Sequence, residues 1–374
     1  MGNVIIYFLA SRYTFFIFSL LAPGVLFLRE GYLGQQFNLK TPYLSWIWAN
    51  FDGVHFLNIA TVGYRNFDFA FFPLYPLLIS VAGKIFPVPA LYLGILISLI
   101  FFFLAILIVY KIILLDYNES LARLSLFFLT FFPVAFFYNS VYADGLFLFL
   151  STSSLYFARK NRWAVAGLFG LFSVLCRFSG LALIPALAFE WYFQNEKIDF
   201  RNLGISKFLK STFIAILLTG SGLIIYMIYL QVNFGDFLLF QKSFSAWDQS
   251  RITFPLQTIF RYFKIFTSVD KNLLVYWIAV LELVSFIFYL ILSVYTLKKI
   301  RISYGIFMIT LLLMVSFTGT LAGTPRYILH LFPGFLAMAL LVKDRSLFKK
   351  IVIIVCVLAG FILTALFTRG YFVS

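Results

Sequence analysis

Residues 90–112, ALYLGILISLIFFFLAILIVYKI, decide the fold. They form one apolar run in which Lys111 is the only charge, and about 20 such residues are what a helix needs to cross the hydrocarbon core of a bilayer. Similar windows recur along the chain. Of 374 residues, 63% are hydrophobic and only 11% charged, and the mean hydropathy is +0.98. No water-soluble domain carries that composition without aggregating. The runs are apolar on every face and lack the alternation of barrel strands, so the spanning elements are helices.

The windows predict spans near residues 13–28, 90–112, 121–138, 142–158, 163–177, 179–194, 211–232, 273–296, 303–321, 326–342 and 350–368, about eleven in all. Residues 69–86 are also apolar, but Pro73 and Pro76 interrupt them and Lys84 and Pro87 border them. If that stretch crossed, the clusters RKNR (159–162), KKIR (298–301) and KDRSLFKK (343–350) would all face outward, against the positive-inside rule. Laid along the interface instead, it makes all three cytoplasmic, together with Lys111, Arg123 and the basic loop 196–210. Two long segments, 29–89 and 233–272, then face the other compartment. The expected fold is an all-α integral membrane bundle, one domain over 1–374, with interfacial helices in a long first non-cytoplasmic loop. There is no internal repeat or low-complexity tract. Arg12 precedes an apolar run, and no small-residue cleavage site follows LFLREGYLG, which predicts an uncleaved first span.

The net charge of +15 sits in short clusters between apolar runs. That is an orientation signal and not a groove for a polyanion, so no nucleic-acid partner is expected. Cys176 and Cys356 both fall in predicted spans, without ligand spacing, and read as packing residues. Metal ligation needs several convergent Cys, His or carboxylate groups, and the second His, His330, lies in the tenth predicted span, so no metal and no cofactor are expected.

Charge at the ends of spans needs water, a partner or a substrate. The first outer segment holds WANFDGVHFLNIATVGYRNFDFAFFPLYPLL (48–78), in which Asp52 and His55 share a face if the segment is helical. Asp52 reads as a helix cap, the commoner role of a lone Asp in a loop, or as a base, and His55 as a structural residue or a substrate contact. Asp68, in FDF, has no paired carboxylate, which leaves metal-bound nucleotide sugars without support. Asp144, after FFPVAFFYNSVYADG, suits a cap or a hydroxyl contact. Arg177 and Arg326 stand at outer turns, where a guanidinium serves as a planar phosphate ligand or snorkels to headgroups. The second outer segment, NFGDFLLFQKSFSAWDQSRITFPLQTIFRYF (233–263), offers Gln241, Trp247 and Arg251 among aromatics, a set that fits a sugar ring but also suits any interfacial loop.

Several of these motifs together resemble the PIG-V-like mannosyltransferases of the GT-C superfamily, membrane enzymes that use polyprenyl-phosphate sugars. FDGVHFLNIATVGY (51–64), followed by AFFPLYPLL (70–78), is similar to the family's first-loop pattern of Trp-Asp, His and Gly-Tyr before a Phe-Phe-Pro stretch. YNSVYADGLFLFLSTSSLYFARKNRW (138–163) resembles its Tyr-Ser-Glu segment, CRFSGLALIPAL (176–187) its arginine turn, and TPRYILHLFP (324–333) its late Pro-Arg-Tyr motif. Two departures stand out. Phe51 replaces the usual Trp, and Ala143-Asp144 replaces Ser-Glu.

The resemblance implies a GT-C-like bundle and an inverting transfer, most simply of mannose, to a lipid-linked or cell-envelope glycan acceptor on the non-cytoplasmic face. Asp52 is then the general base, Arg177, Arg326 and Arg251 hold the donor phosphate, and His55, Asp144, Gln241 and Trp247 contact sugar or acceptor. Membrane lipids are the remaining partners. Compact loops point to a prokaryotic cell membrane. The rival reading is a lipid or glycolipid transporter or flippase. That class shows matched halves with broken segments at mid-membrane, which this sequence lacks. A non-catalytic scaffold subunit is the third reading; it would tolerate substitution of the outer charges.

Overall fold

The computed structural model describes residues 2–29, 41–194, 205–247, 249 and 252–373, and every regular element among them is helical. Five helices are long and apolar enough to cross a bilayer: Gly2–Gly24, Ala90–Ile113, Thr212–Phe234, Leu274–Lys299 and Ser346–Thr368. A sixth is the pair Thr324–His330 and Phe332–Val342, bent by 85°. The chain is thus a multi-pass membrane protein. Leu74–Ile85, Trp163–Cys176 and Ile302–Ser316 are shorter apolar helices.

Several expected spans are cut by prolines and glycines that a hydropathy average does not see. The first helix runs Gly2–Leu21 and stops before Pro23-Gly24, not over 13–28. The expected span 121–138 ends as a helix at Thr130, with Pro133 between it and the short turn Ala135–Asn139. Twelve residues rise only about 18 Å, short of a hydrocarbon core of about 30 Å. Proline has no N–H to give and disfavours helix in the residue before it. The expected span 303–321 ends at Ser316, three residues before Gly319, which takes a φ of +82°. The expected span 326–342 contains the 85° bend. The basic loop 196–210 and Arg251 lie wholly or partly outside the described residues.

The chain packs as two compact units, interleaved in sequence. The first comprises Met1–Arg65, Tyr75–Phe149 and Met338–Ser374. Its centre is aromatic: Phe136, Phe137 and Tyr142 all pack on Phe367, with ring centroids 5.0, 5.2 and 6.0 Å away. Arg12, 7% exposed in the first span, donates to Ala135 O (2.8 Å), Asn139 Oδ1 (2.6 Å) and Thr130 O (3.0 Å). It lies 4.7 Å above the Phe102 ring. Broken helices are tolerated at membrane depth where a side chain meets the freed carbonyls, and Arg12 is that side chain.

The second unit comprises Asn66–Leu74 and Leu150–Ala337. Helices Trp163–Cys176 and Ile205–Phe234 approach backbone to backbone. A Cβ on Gly170 would stand 2.1 Å from Thr219 Oγ1, and one on Gly222 would stand 2.5 Å from Leu171 O. Small residues permit such contact where lipid supplies no hydrophobic drive between helices. Glu190, 1% exposed, accepts from Arg301 Nη2 at 2.6 Å and Nε at 2.7 Å, with Arg159 at 3.5 Å. A buried carboxylate persists where its charge is paired in this way.

Candidate active site

Asp52 is the first residue of the helix Asp52–Val62 and is half-buried. His55 follows one turn later on the same face, also half-buried. The segment before them is held rigidly. Asn50 has no exposed surface; its amide donates to Phe367 O at 2.7 Å, and its carbonyl accepts from Tyr142 Oη at 2.9 Å. Val141 N donates to Trp48 O at 2.8 Å. Phe51 takes φ 58° and ψ −115°, a strained conformation for a residue with a Cβ, and its ring packs on Phe367 and Phe372. Gly53 lies against the other turn, where a Cβ would meet Val141 O at 3.4 Å, an ordinary contact distance. The turns carrying Asp52 and Asp144 are therefore laced together.

Asp144 begins the helix Asp144–Arg159 and has no exposed surface. A carboxylate in the first turn meets the positive end of the helix dipole, which favours the capping side of its two readings. Tyr142 and Ser98 support the turn: Ser98 Oγ donates to Tyr142 O at 3.0 Å, and Tyr75 Oη lies 2.7 Å from Ser98 Oγ.

In the second unit, the structure brings together two arginines that stand far apart in sequence. Arg177 leaves the helix Trp163–Cys176 in extended backbone, half-buried, with its guanidinium carbon 4.9 Å from the Tyr327 ring centroid. Arg326, 7% exposed in the turn Thr324–Tyr327, lies 5.7 Å from the same centroid. Their separation cannot exceed the sum of those distances. Two guanidiniums beside one ring put two positive charges in one neighbourhood, and a guanidinium fork is a good ligand for phosphate. The His330 ring meets Tyr327 edge-on, at 6.3 Å; His330 is fully buried.

Arg177 is anchored by its neighbour. Phe178 joins Phe72, Tyr226 and Phe240, with Phe72 6.2 Å from Phe178, 4.7 Å from Tyr226 and 5.9 Å from Phe240. This cluster ties residues 66–74 of the first outer segment to the second. Trp247, 37% exposed, meets Phe71 edge-on at 5.6 Å, and Gln241 is exposed on the short helix Leu239–Ser243. Asp236 accepts from Lys242 and from the Leu238 amide (2.9 Å), which holds its carboxyl below the usual range. Because the folded value is depressed, this tie is present at neutral pH and is lost as pH falls through that value.

Tyr327 and Asn50 are the organisers that sequence reading missed. Tyr327 stands inside TPRY and Asn50 inside WANFD, but nothing in either motif says which rings and carbonyls they meet. Among the described residues, no three His, Cys, Asp or Glu side chains converge as a metal site would require.

The family model described as Mannosyltransferase (PIG-V) matches residues 35–265. No curated protein matches the chain. Among solved structures, the chain is similar to the Archaeoglobus fulgidus oligosaccharyltransferase tethered with an acceptor peptide containing the NVT sequon. That match has 16% identity and a TM-score of 0.46, and covers 98% of this chain and 55% of that one. The same enzyme's complex with Zn and sulfate gives 17% identity and a TM-score of 0.44, covering 96% and 53%. The archaeal oligosaccharyltransferase AglB from Archaeoglobus fulgidus, in complex with an inhibitory peptide and a dolichol-phosphate, gives 15% and 0.40, covering 98% and 56%. The chain spans about half the length of these structures.

Proposed function

The chain belongs to the PIG-V mannosyltransferase family, and from that premise we propose that it moves mannose from a polyprenyl-phosphate donor to a lipid-linked or cell-envelope glycan on the non-cytoplasmic face. The activity, the donor, the acceptor and the face are together the proposal. The observation that carries the donor is the pair Arg177 and Arg326 on the Tyr327 ring. A lipid phosphate brings the charge and the paired oxygens that such forks accept.

Asp52 takes the proton of an acceptor hydroxyl as that oxygen attacks the anomeric carbon. The bond from that carbon to the phosphate oxygen breaks, and polyprenyl phosphate leaves with the electron pair. One displacement inverts the anomeric centre. A phosphate needs little proton donation on leaving, so the complementary demand is for positive charge, which Arg177 and Arg326 supply, with Arg251 as a third candidate. His55, Gln241 and Trp247 orient sugar and acceptor hydroxyls, while the buried Asp144 acts by holding its turn against the one that bears Asp52.

The proposal is tested by supplying purified protein, in lipid nanodiscs, with polyprenyl-phosphate mannose or with a nucleotide-activated mannose, and reading product linkage by NMR. Transfer from the lipid donor alone, with inversion at the anomeric carbon, is expected. Transfer from the nucleotide sugar, or retention, overturns it. Donor crossing the bilayer without transfer would favour the transporter.

A further inference from the structure

Glu282 lies within the spanning helix Leu274–Lys299 and is only 5% exposed. A carboxylate inside a span is costly, and packing alone is met more cheaply by an apolar side chain of similar size. What Glu282 does there is hold two things. Tyr262 Oη donates to its Oε2 at 2.6 Å, and the Gly323 amide donates to the same carboxylate. Tyr262, 2% exposed, also accepts from Leu321 N at 2.9 Å, so one phenol is used in both directions.

Tyr262 comes from the helix Pro255–Ser268, whose two faces differ. Leu256, Phe260 and Phe263 are exposed along one face, and Thr258 and Tyr262 are buried on the other. The inward face is stitched to the stretch leading into the arginine turn. Thr258 Oγ1 donates to Ser316 O at 2.7 Å, Arg261 Nη1 to Gly319 O at 3.1 Å, and Thr253 N to Phe317 O at 2.9 Å.

Gly323 is where that stretch becomes the turn. Its φ of +82° suits glycine, and a Cβ on it would stand 2.9 Å from Tyr327 Cε2. Its carbonyl accepts from Arg326 N at 3.0 Å and Tyr327 N at 2.9 Å. The chain of contact therefore runs from Glu282, through the Gly323 amide and Tyr262, to the backbone that presents Arg326 and the ring it shares with Arg177.

We propose that Glu282, acting with Tyr262, is a positioning residue that sets the turn presenting Arg326 to the donor phosphate. The proposal rests on the reading that Arg326 serves the donor. Glu282 acts through Tyr262 and the Gly323 amide that it holds.

The test uses the full chain in nanodiscs with polyprenyl-phosphate mannose as donor, and compares Glu282→Leu, Glu282→Gln, Arg326→Ala and the double substitution Glu282→Leu/Arg326→Ala. Glu282→Leu should speed amide hydrogen exchange over residues 320–327 and raise the donor's half-saturation about tenfold, the scale of one lost hydrogen bond, with kcat changed less. Glu282→Gln keeps an acceptor oxygen and should restore most of both. The double variant should bind donor no worse than Arg326→Ala alone, because coupled residues are not additive. If Glu282→Leu does not fold, Tyr262→Phe is read the same way. Unchanged exchange over 320–327, or fully multiplicative effects on donor binding, overturns the proposal. If Arg326→Ala alone leaves donor binding intact, it is the donor-site reading that fails, and the exchange rates still decide whether Glu282 sets the turn.

Discussion

The guanidinium carbon of Arg177 lies 4.9 Å from the ring centre of Tyr327. That one contact ties the turn after the helix Trp163–Cys176 to the turn Thr324–Tyr327, and it makes neighbours of Arg177 and Arg326. Either arginine alone could be snorkelling to headgroups. Two of them beside one ring bring two positive charges into one neighbourhood, which supports the proposed phosphate role.

Arginine's planar fork, not its charge alone, should matter there. Arg177→Lys and Arg326→Lys are each expected to raise the donor's half-saturation about 10- to 100-fold, the range of a charged hydrogen bond worth about 1.5–3 kcal/mol. Tyr327→Leu should cost less, about 0.5–2 kcal/mol. Titration of each purified variant with polyprenyl-phosphate mannose reads this; lysine variants that bind as the wild type does would remove the phosphate role.

Gly323→Ala should act through Tyr327. It meets the backbone penalty of a positive φ, roughly 1–2 kcal/mol, and also drives a methyl into the ring that both arginines share. Gly235→Ala is the control, since its φ is +78° but no atom lies within 4 Å of the new methyl. Both should lower the melting temperature, and only Gly323→Ala should weaken donor binding. Equal kinetics for the two would show that the Tyr327 contact is immaterial.

Asn50→Ala removes the donor to Phe367 O and leaves a buried carbonyl unmet, at a cost of about 1–3 kcal/mol. Asp52 begins the helix two residues later, so kcat should fall beyond what the change in melting temperature accounts for. Thermal melting and single-turnover transfer measured together separate the two effects. A pure stability loss, with normal kcat at low temperature, would leave Asn50 outside the positioning of Asp52.

Arg12→Met should be the most damaging change far from the site. It strips the donor from Ala135 O, Thr130 O and Asn139 Oδ1 in an apolar setting, each unmet group costing about 1–3 kcal/mol. Arg12→Lys should rescue little, because one ammonium cannot span the three. Fluorescence-detected size exclusion after heating gives the comparison, and a Met variant that survives like the wild type would contradict it.

Much of this was legible in the sequence. Span-length apolar runs such as 90–112 announce membrane helices, and the spacing of Asp52 and His55 does put them on one helix face. The breaks were not legible in a hydropathy window, because Pro133 and the turn before Gly323 stop helices without lowering the average. Nor was the meeting of Arg177 with Arg326, since the ring that joins them belongs to long-range packing. Asp144 reads from sequence as a cap or a hydroxyl contact, and its complete burial follows from long-range packing that no local motif encodes. Glu282 was hidden for the converse reason: one acid in a long apolar run barely changes its mean.

Asp52 is the proposed base of the inverting transfer. The most direct measurement is single-turnover mannose transfer from polyprenyl-phosphate mannose by wild type and Asp52→Asn, with donor binding and melting temperature measured on the same preparations. The expected result is a variant that folds and binds donor as the wild type does but transfers about 100- to 10,000-fold more slowly, the usual contribution of a general base. Transfer by Asp52→Asn at the wild-type rate, with donor binding intact, would contradict it.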